Sequence, residues 1–484
     1  MAPRTIALAV ALLLVCSAAV AQDAAYTYTV VDTGQDVAYD DNRAITSPAV
    51  GEAFFGQDAH YTTNAPSYED NGDGTVTDLN TGLMWQKMPD FDNELAWADA
   101  VGYAEGLTLG GYDDWRVPTI KELYSLIQFI GGSGPTAAES TPYIDTDYFD
   151  FEYPDEDSGE RVIDVQYWSS TKYVGETMNG NATAFSVNFA DGRIKGYPTL
   201  KGPGGKPKKC SVRCVRGATT YGVNAFAAND DGTVTDNATG LMWAQADSGD
   251  AMDWEAAMAY AEGAELAGYD DWRLPNAKEL QSIVDYTRAP DAEDEDKQGP
   301  AIDLEFFEVS EAESYFWTGT TLLEGPGQGV YVAFGQAKGY WGDPMRGQPR
   351  VLMNVHGAGA QRGDPKSGDA SDYEGGRGPQ GDDVRIDNYV RLVRNVDPAE
   401  VEQVTPRKPT KDDNAMLGDG KGPKDEVPSA PANRPPHVVR PPKIERHPLP
   451  PARHAQPAGH RDDGHRQIPM GREKGQRTEP NQQW

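Results

Sequence analysis

Residues 110–127 read GGYDDWRVPTIKELYSLI, and residues 267–284 read AGYDDWRLPNAKELQSIV. Each run places Thr119 or Asn276 just after a proline, with Glu122 or Glu279 three residues further on. That spacing predicts a capped helix, in which the Thr or Asn side chain accepts from a free first-turn N–H and the Glu reaches back to the cap. Pro118 and Pro275 bias the chain before them away from helix, so nothing helical runs into the cap. The same eighteen-residue grammar occurring twice means that one domain is present twice.

The flanking sequence repeats in the same order. GDGTVTDLNTGLMWQ (72–86) returns as DDGTVTDNATGLMWA (230–244), YWSST (167–171) as FWTGT (316–320), and SVRCVRG (211–217) as YVRLVRN (389–395). The offset is 158 residues at Trp85/Trp243, 149 at Trp168/Trp317 and 178 at Arg216/Arg394, so the insertions fall in the back half of each copy. TVTD, a turn and TGLMW predict a β-hairpin. A first helix follows, because Trp97, Ala100, Val101 and Ala104 lie at i, i+3, i+4 and i+7, as do Trp254, Ala257, Met258 and Ala261. The back half is strand-like: AFSVNFADGRIKGY (184–197) predicts a hairpin with an Asp-Gly turn, VYVAFGQAKGYW (330–341) its counterpart, and a VRxVR strand closes each copy. Helices early and an antiparallel sheet late define an α+β domain. The expected boundaries are 69–218 and 219–396, preceded by an irregular lead-in over 22–68 packed against the first copy.

Both ends of the chain differ from this body. Residues 1–21 carry Arg4, an apolar run from Ile6 to Val15 and Ala19-Val20-Ala21, which together predict a secretory signal cut before Gln22. No later stretch approaches about 18 consecutive apolar residues, so no transmembrane span is expected. Residues 405–484 are rich in Pro, Arg and His and poor in apolar side chains, which predicts a disordered tail. The net charge of −33 argues against nucleic acid as a partner and makes a divalent cation a natural ligand. Only Cys210 and Cys214 remain after the signal; four residues apart on one extended strand they would be roughly 13 Å apart, beyond disulfide reach. Either Cys210 lies in a turn or the thiols stay unpaired.

Taken together, the turn, the GYDDWR loop, the YWSST strand, the Asp-Gly hairpin and the VRCVRG strand resemble the Lcl C-terminal domain family, named from the Legionella collagen-like adhesin. The resemblance covers about 70–217 and 229–395. It implies an exported bacterial protein; the founding adhesin binds sulfated glycosaminoglycans. The WRLP element and the closing strand also resemble the formylglycine-generating enzyme and C-type-lectin-like superfamily, which implies two tandem C-type-lectin-like domains.

Several residues then compete for functional roles. DNGDGTVTD (70–78) has the look of a calcium loop, but in EF-hand register Asn80 stands where the bidentate Glu belongs, and Ala227 and Ala238 occupy the outer positions of the second copy. A looser Ca2+ site made by Asp70, Asn71, Asp73 and Asp78 is carried forward beside the simpler reading of a tight turn, which explains both copies. The pairs Asp113/Asp114 and Asp270/Asp271 read either as a clasp bridged by Arg116 or Arg273, or as sugar or cation contacts. Trp168 and Trp317 read as core, or as aromatic faces for a sugar. Residues 354–383 form a long Gly-rich insertion containing Arg362-Gly363-Asp364, an integrin-type tripeptide, and expected to fold as a loop. No nucleophile–base pair stands out, the body's histidines being His60 and His356 alone, and no catalytic residue is assigned. The expected function is non-enzymatic, adhesin-like recognition of an extracellular glycan or a cell-surface or matrix ligand. The alternative is an assembly protein that makes protein–protein contacts and tethers a polymer through its tail.

Overall fold

The computed structural model describes residues 26–396, except 156–158, 179, 201–205, 343–346 and 348. The predicted signal and tail lie outside the described residues. Two short strands, β1 (Ala38–Tyr39) and β2 (Ala44–Ile45), pair within the lead-in. The first copy runs β3 (Tyr68–Asp70), β4 (Thr75–Asp78), β5 (Met84–Gln86), β6 (Leu95–Ala96), α1 (Trp97–Glu105) and α2 (Ile120–Ser125). It continues with β7 (Gln166–Lys172), β8 (Thr183–Asn188), β9 (Arg193–Pro198), β10 (Lys209–Cys210) and β11 (Val215–Arg216). The second copy runs β12 (Phe226–Ala228), β13 (Thr233–Asp236), β14 (Leu241–Ala244), α3 (Trp254–Glu262) and α4 (Ala277–Ser282). It closes with β15 (Tyr315–Thr321), β16 (Gln328–Ala333), β17 (Lys338–Trp341), β18 (Val351–Asn354), β19 (Gln361–Pro365) and β20 (Val393–Asn395).

The fold is α+β, with antiparallel sheets and short helices in both copies. A four-stranded sheet opens each one, in the order β11-β5-β4-β3 and its counterpart β12-β13-β14-β20. The expected hairpins pair Val76 with Trp85 and Val234 with Trp243, and each VRxVR strand lies on the Trp strand, Val215 opposite Trp85 and Val393 opposite Trp243. Both capping boxes form: Thr119 accepts from Glu122 N, Asn276 from Glu279 N, and each Glu returns a bond to the cap. The first helices bury the predicted stripe, most fully in the second copy, where Trp254, Ala257, Met258 and Ala261 are at most 1% exposed.

The back-half sheets differ between copies. In the first, β8 returns to β9 through Phe189-Ala190-Asp191-Gly192, and Gly192 supplies the positive φ of 67° that the reversal needs. A Cβ there would lie 2.5 Å from the Tyr143 ring, so only glycine fits. In the second copy, Gly335, Gln336 and Ala337 all keep negative φ, and the chain runs on instead of returning. The expected hairpin over 330–341 is therefore not made. β17 pairs with β18, and the third strand beside β16 is β19, drawn from the insertion expected to be a loop.

The copies are not separate bodies on a linker. One apolar core runs through both, joining Trp85, Ile120 and Leu123 of the first copy to Trp243, Ala277 and Leu280 of the second. Smaller clusters flank it, around Trp168 and Trp115 on one side and Trp317 and Trp272 on the other. The helices α2 and α4 meet in a reciprocal manner: Lys121 Nζ donates to Ser282 O at 2.7 Å, and Lys278 Nζ to Ser125 O at 2.8 Å. Each lysine thus binds the C-terminal carbonyls of the other copy's helix, where cations are favoured.

The lead-in also departs from expectation, since it straps mainly onto the second copy. Asp58 accepts from Thr33 Oγ1 at 2.7 Å and Thr320 Oγ1 at 2.6 Å, Lys366 Nζ donates to Asp40 O, and Tyr61 OH bonds Glu262. Gln35 bridges the copies, donating to Phe129 O and Thr321 O. Burial raises the Asp58 carboxyl to about 7, against the pull of its two hydroxyl donors.

Candidate functional site

The four residues considered for calcium make mainly local bonds within the hairpin, with Asp78 Oδ2 left without a partner. Asp70 accepts from Gly72 N at 2.9 Å and pairs with Lys87 Nζ at 2.5 Å; Asp73 accepts from Thr75 N and Oγ1; Asp78 accepts from Asn80 N and Thr81 N. Asn71 Nδ2 donates to Thr75 and Thr77, as Asn229 does to Thr233 and Thr235. These are Asx-type bonds that shape the chain locally. Among the described residues no group of three or more His, Cys, Asp or Glu side chains is placed to hold a metal, so Asp70, Asp73 and Asp78 are not brought together as a cation cage.

The GYDDWR loops do form clasps, but with different arginines from those expected. Arg116 and Arg273 bind Glu122 and Glu279, each through two N–H···O bonds, tying the loop to the capping box. Asp114 and Asp271 are claimed by the closing strand. Arg216 donates to Asp114 at 2.6 and 3.1 Å, and Arg394 to Asp271 at 2.7 and 3.2 Å. Tyr112 stacks on Arg216 with 3.6 Å between guanidinium and ring centre, and Tyr269 on Arg394 with 3.8 Å. Asp113 and Asp270 point to solvent beside them. The same Tyr-Arg-Asp arrangement therefore stands on the surface of both copies. Arg216 draws the Asp114 carboxyl below the ordinary range.

The other arginine of each VRxVR strand, missed in the sequence, does something else. Arg213 and Arg391 are fully buried over aromatic rings and donate to backbone carbonyls: Arg213 to those of Gln86, Lys87 and Asp150, Arg391 to those of Ala244, Gln245 and Glu308. Burial lowers both, Arg391 to about 10. Trp168 and Trp317 are core and reach no ligand surface; each is 0% exposed, with Nε1 on Leu95 O and Met252 O. Cys210 and Cys214 are free, buried thiols, and burial pushes Cys214 up to about 12. Within the hydrogen-bond network, Ser47 Oγ meets His60 Nε2 at 3.1 Å, but His60 Nδ1 rests on Gln57 O, so no carboxylate orients the ring.

Arg362-Gly363-Asp364 is not displayed. It lies inside β19, with Arg362 4% and Asp364 1% exposed. Burial raises Asp364 to about 7, where Asn388 Nδ2 and Arg385 N donate to it. Arg362 instead reaches the seam where the second copy approaches β9 of the first, so closely that a Cβ on Gly196 would sit 2.6 Å from His356 O, in the segment between β18 and β19. There Arg362 pairs with Asp382, Lys195 with Asp191, and Arg193 with Glu324. His356 Nε2 lies 3.0 Å from Asp382. Burial would raise Asp382, but Arg362 and His356 hold it far below its ordinary value. Lys195 is lowered to about 8, first by burial, with Arg362 and Arg193 adding to it against Asp191. A cleft of about 70 Å³ opens on this seam.

Duplicated α+β copies closed by a VRxVR strand and clasped to a GYDDWR loop define the class. More than half of the chain, residues 74–216 and 232–355, matches the Lcl C-terminal domain, and the protein belongs to that family, carrying the domain twice in tandem. The second match ends before β19 and β20, so the strand that completes the second sheet lies beyond it. No curated protein and no solved structure matches the chain.

Proposed function

We propose that this is an exported, non-enzymatic, adhesin-like protein that recognises carbohydrate, or another cell-surface or matrix ligand, through its two lectin-like modules. The observation that carries the reading is the repeated Tyr-Arg-Asp surface: Tyr112, Arg216 and Asp114 on one copy, Tyr269, Arg394 and Asp271 on the other. An aromatic face held flat by a guanidinium, with carboxylates at its edge, suits the apolar face and hydroxyl rim of a sugar ring. Membership of a family named from an adhesin supports the adhesin-like part. Export rests on the predicted signal, and no helix among the described residues is long and apolar enough to cross a membrane. Both cysteines are buried and held protonated, which supports a binding role.

A glycan array with the full mature chain tests this, run beside a Tyr112→Ala/Tyr269→Ala double variant. Signal on defined glycans, lost in the double variant, supports the proposal. Equal signal from both proteins rejects the Tyr-Arg-Asp surface, and no glycan signal from either favours the assembly role.

A further inference from the structure

The cleft between the copies has a charge and hydrogen-bond pattern that the fold does not use up. Its cations are Arg161, Arg193, Lys195, Arg362 and Arg377; its carboxylates are Asp191, Glu324 and Asp382. Asp164, which does not line the cleft, binds Arg161 through two bonds, so the balance is five against four, still an excess of positive charge in a chain whose net charge is −33. Arg362 is 4% exposed, yet only its Nη2 is engaged, with Asp382 and Gln380; its Nε and Nη1 have no partner. Arg193, 8% exposed, also leaves its Nε without one. Buried N–H donors on charged groups are costly to leave unmet. One acceptor, Asp191 Oδ1, is unpaired as well, and a water entering with a ligand can donate to it.

We propose that this cleft binds one small free oxyanion, of the carboxylate or sulfate type, which bridges the β9 edge of the first copy to the β19 edge of the second. The space, about 70 Å³, is several times the roughly 10–15 Å³ that a single water requires. It accommodates one such group with attendant water, not a run of polymer. Guanidinium groups from both copies match oxyanion geometry, and water exclusion strengthens their bonds to it. The proposal also gives the Gly-rich insertion a role: it supplies Arg362 from β19 and brings Arg377 and Gln380 to the cleft wall. This site is distinct from the Tyr-Arg-Asp surfaces, so either can fail without the other.

The experiment titrates sodium sulfate and sodium acetate into the full chain, with sodium chloride at matched ionic strength as reference, and follows the melting temperature. A saturating rise beyond chloride is expected with at least one oxyanion, because a ligand that binds only the folded state stabilises it by mass action. Arg377→Gln is expected to weaken the apparent affinity by about tenfold, the equivalent of about 1.4 kcal/mol. Arg362→Gln is expected to abolish the saturable rise; since it breaks a buried ion pair, it is interpreted only if the variant folds. Crystals of the unaltered protein soaked in selenate provide a readout free of mutation, with anomalous density expected in the cleft. A response to both oxyanions no larger than to chloride, a rise that never saturates, or, where sulfate gives the saturable rise, selenate absent from the cleft overturns the proposal.

Discussion

Replacing Lys278 with methionine removes one of two ammonium groups buried between the copies. Lys278 Nζ donates to Ser125 O at 2.8 Å and Asp32 O at 2.9 Å, and no carboxylate pairs with it directly. Burial lowers it to about 7, with Asp32, Asp78 and Asp58 only partly compensating; burial lowers Lys121 to about 8 in the same way. In the unfolded chain a lysine titrates near about 10.4. Between about pH 7 and about pH 10.4 the unfolded state therefore holds a proton that folded Lys278 has released, and its contribution to stability must rise with pH in that window. The limiting slope is about 1.4 kcal/mol per pH unit for each such lysine, so Lys278 contributes about 2 kcal/mol between about pH 8 and about pH 9.5. Lys366, lowered to about 7, and Lys195, lowered to about 8, add in the same direction. Urea unfolding at several pH values measures this. Wild-type stability should climb from about pH 7 to about pH 8.5, above which the buried thiols Cys210 and Cys214 oppose the lysines, and Lys278→Met should climb less steeply, by about 1 kcal/mol per pH unit. A wild-type curve that is flat or falling over that range, or a variant with the wild-type slope, would refute the reasoning.

Trp317→Ala and Trp168→Ala should each cost about 3–5 kcal/mol in chemical denaturation, because both rings are fully buried. Asp114→Asn, which breaks an exposed ion pair, should leave the denaturation midpoint almost unchanged in the same assay. Cys210 and Cys214 should resist a thiol reagent in the folded protein and react on unfolding, since burial both hides them and keeps them protonated. Adding or chelating calcium should leave the melting temperature unchanged, because Asp70, Asp73 and Asp78 already serve their own turn.

What the sequence made legible was governed by short-range rules. Thr119 with Glu122, Asn276 with Glu279, the Asp191-Gly192 reversal and the stripe on α3 all formed as read, since each depends on neighbours within a few residues. What it hid was set by distant partners. Nothing local to Asp114 shows that Arg216 rather than Arg116 will claim it, and nothing near Asp58 points to Thr320. β19 stands where the expected hairpin strand would lie, and residues 335–337 keep negative φ; Gly335 could have supplied a positive one, so Gly-Gln-Ala gave no warning. Alternation gave no such signal for the buried arginines: Arg213 shares a side with Val215, but Arg216 shares one with Val212 and Cys214, and both sides are buried.

The Tyr-Arg-Asp surfaces are best tested by dissociation rates from a densely coated glycan surface, comparing wild type with Tyr112→Ala, Tyr269→Ala and the double variant. If both copies engage the surface at once, each single variant should dissociate faster than wild type, by about 100-fold or more, and the double variant should not be retained. A double variant that dissociates as slowly as wild type would contradict the account.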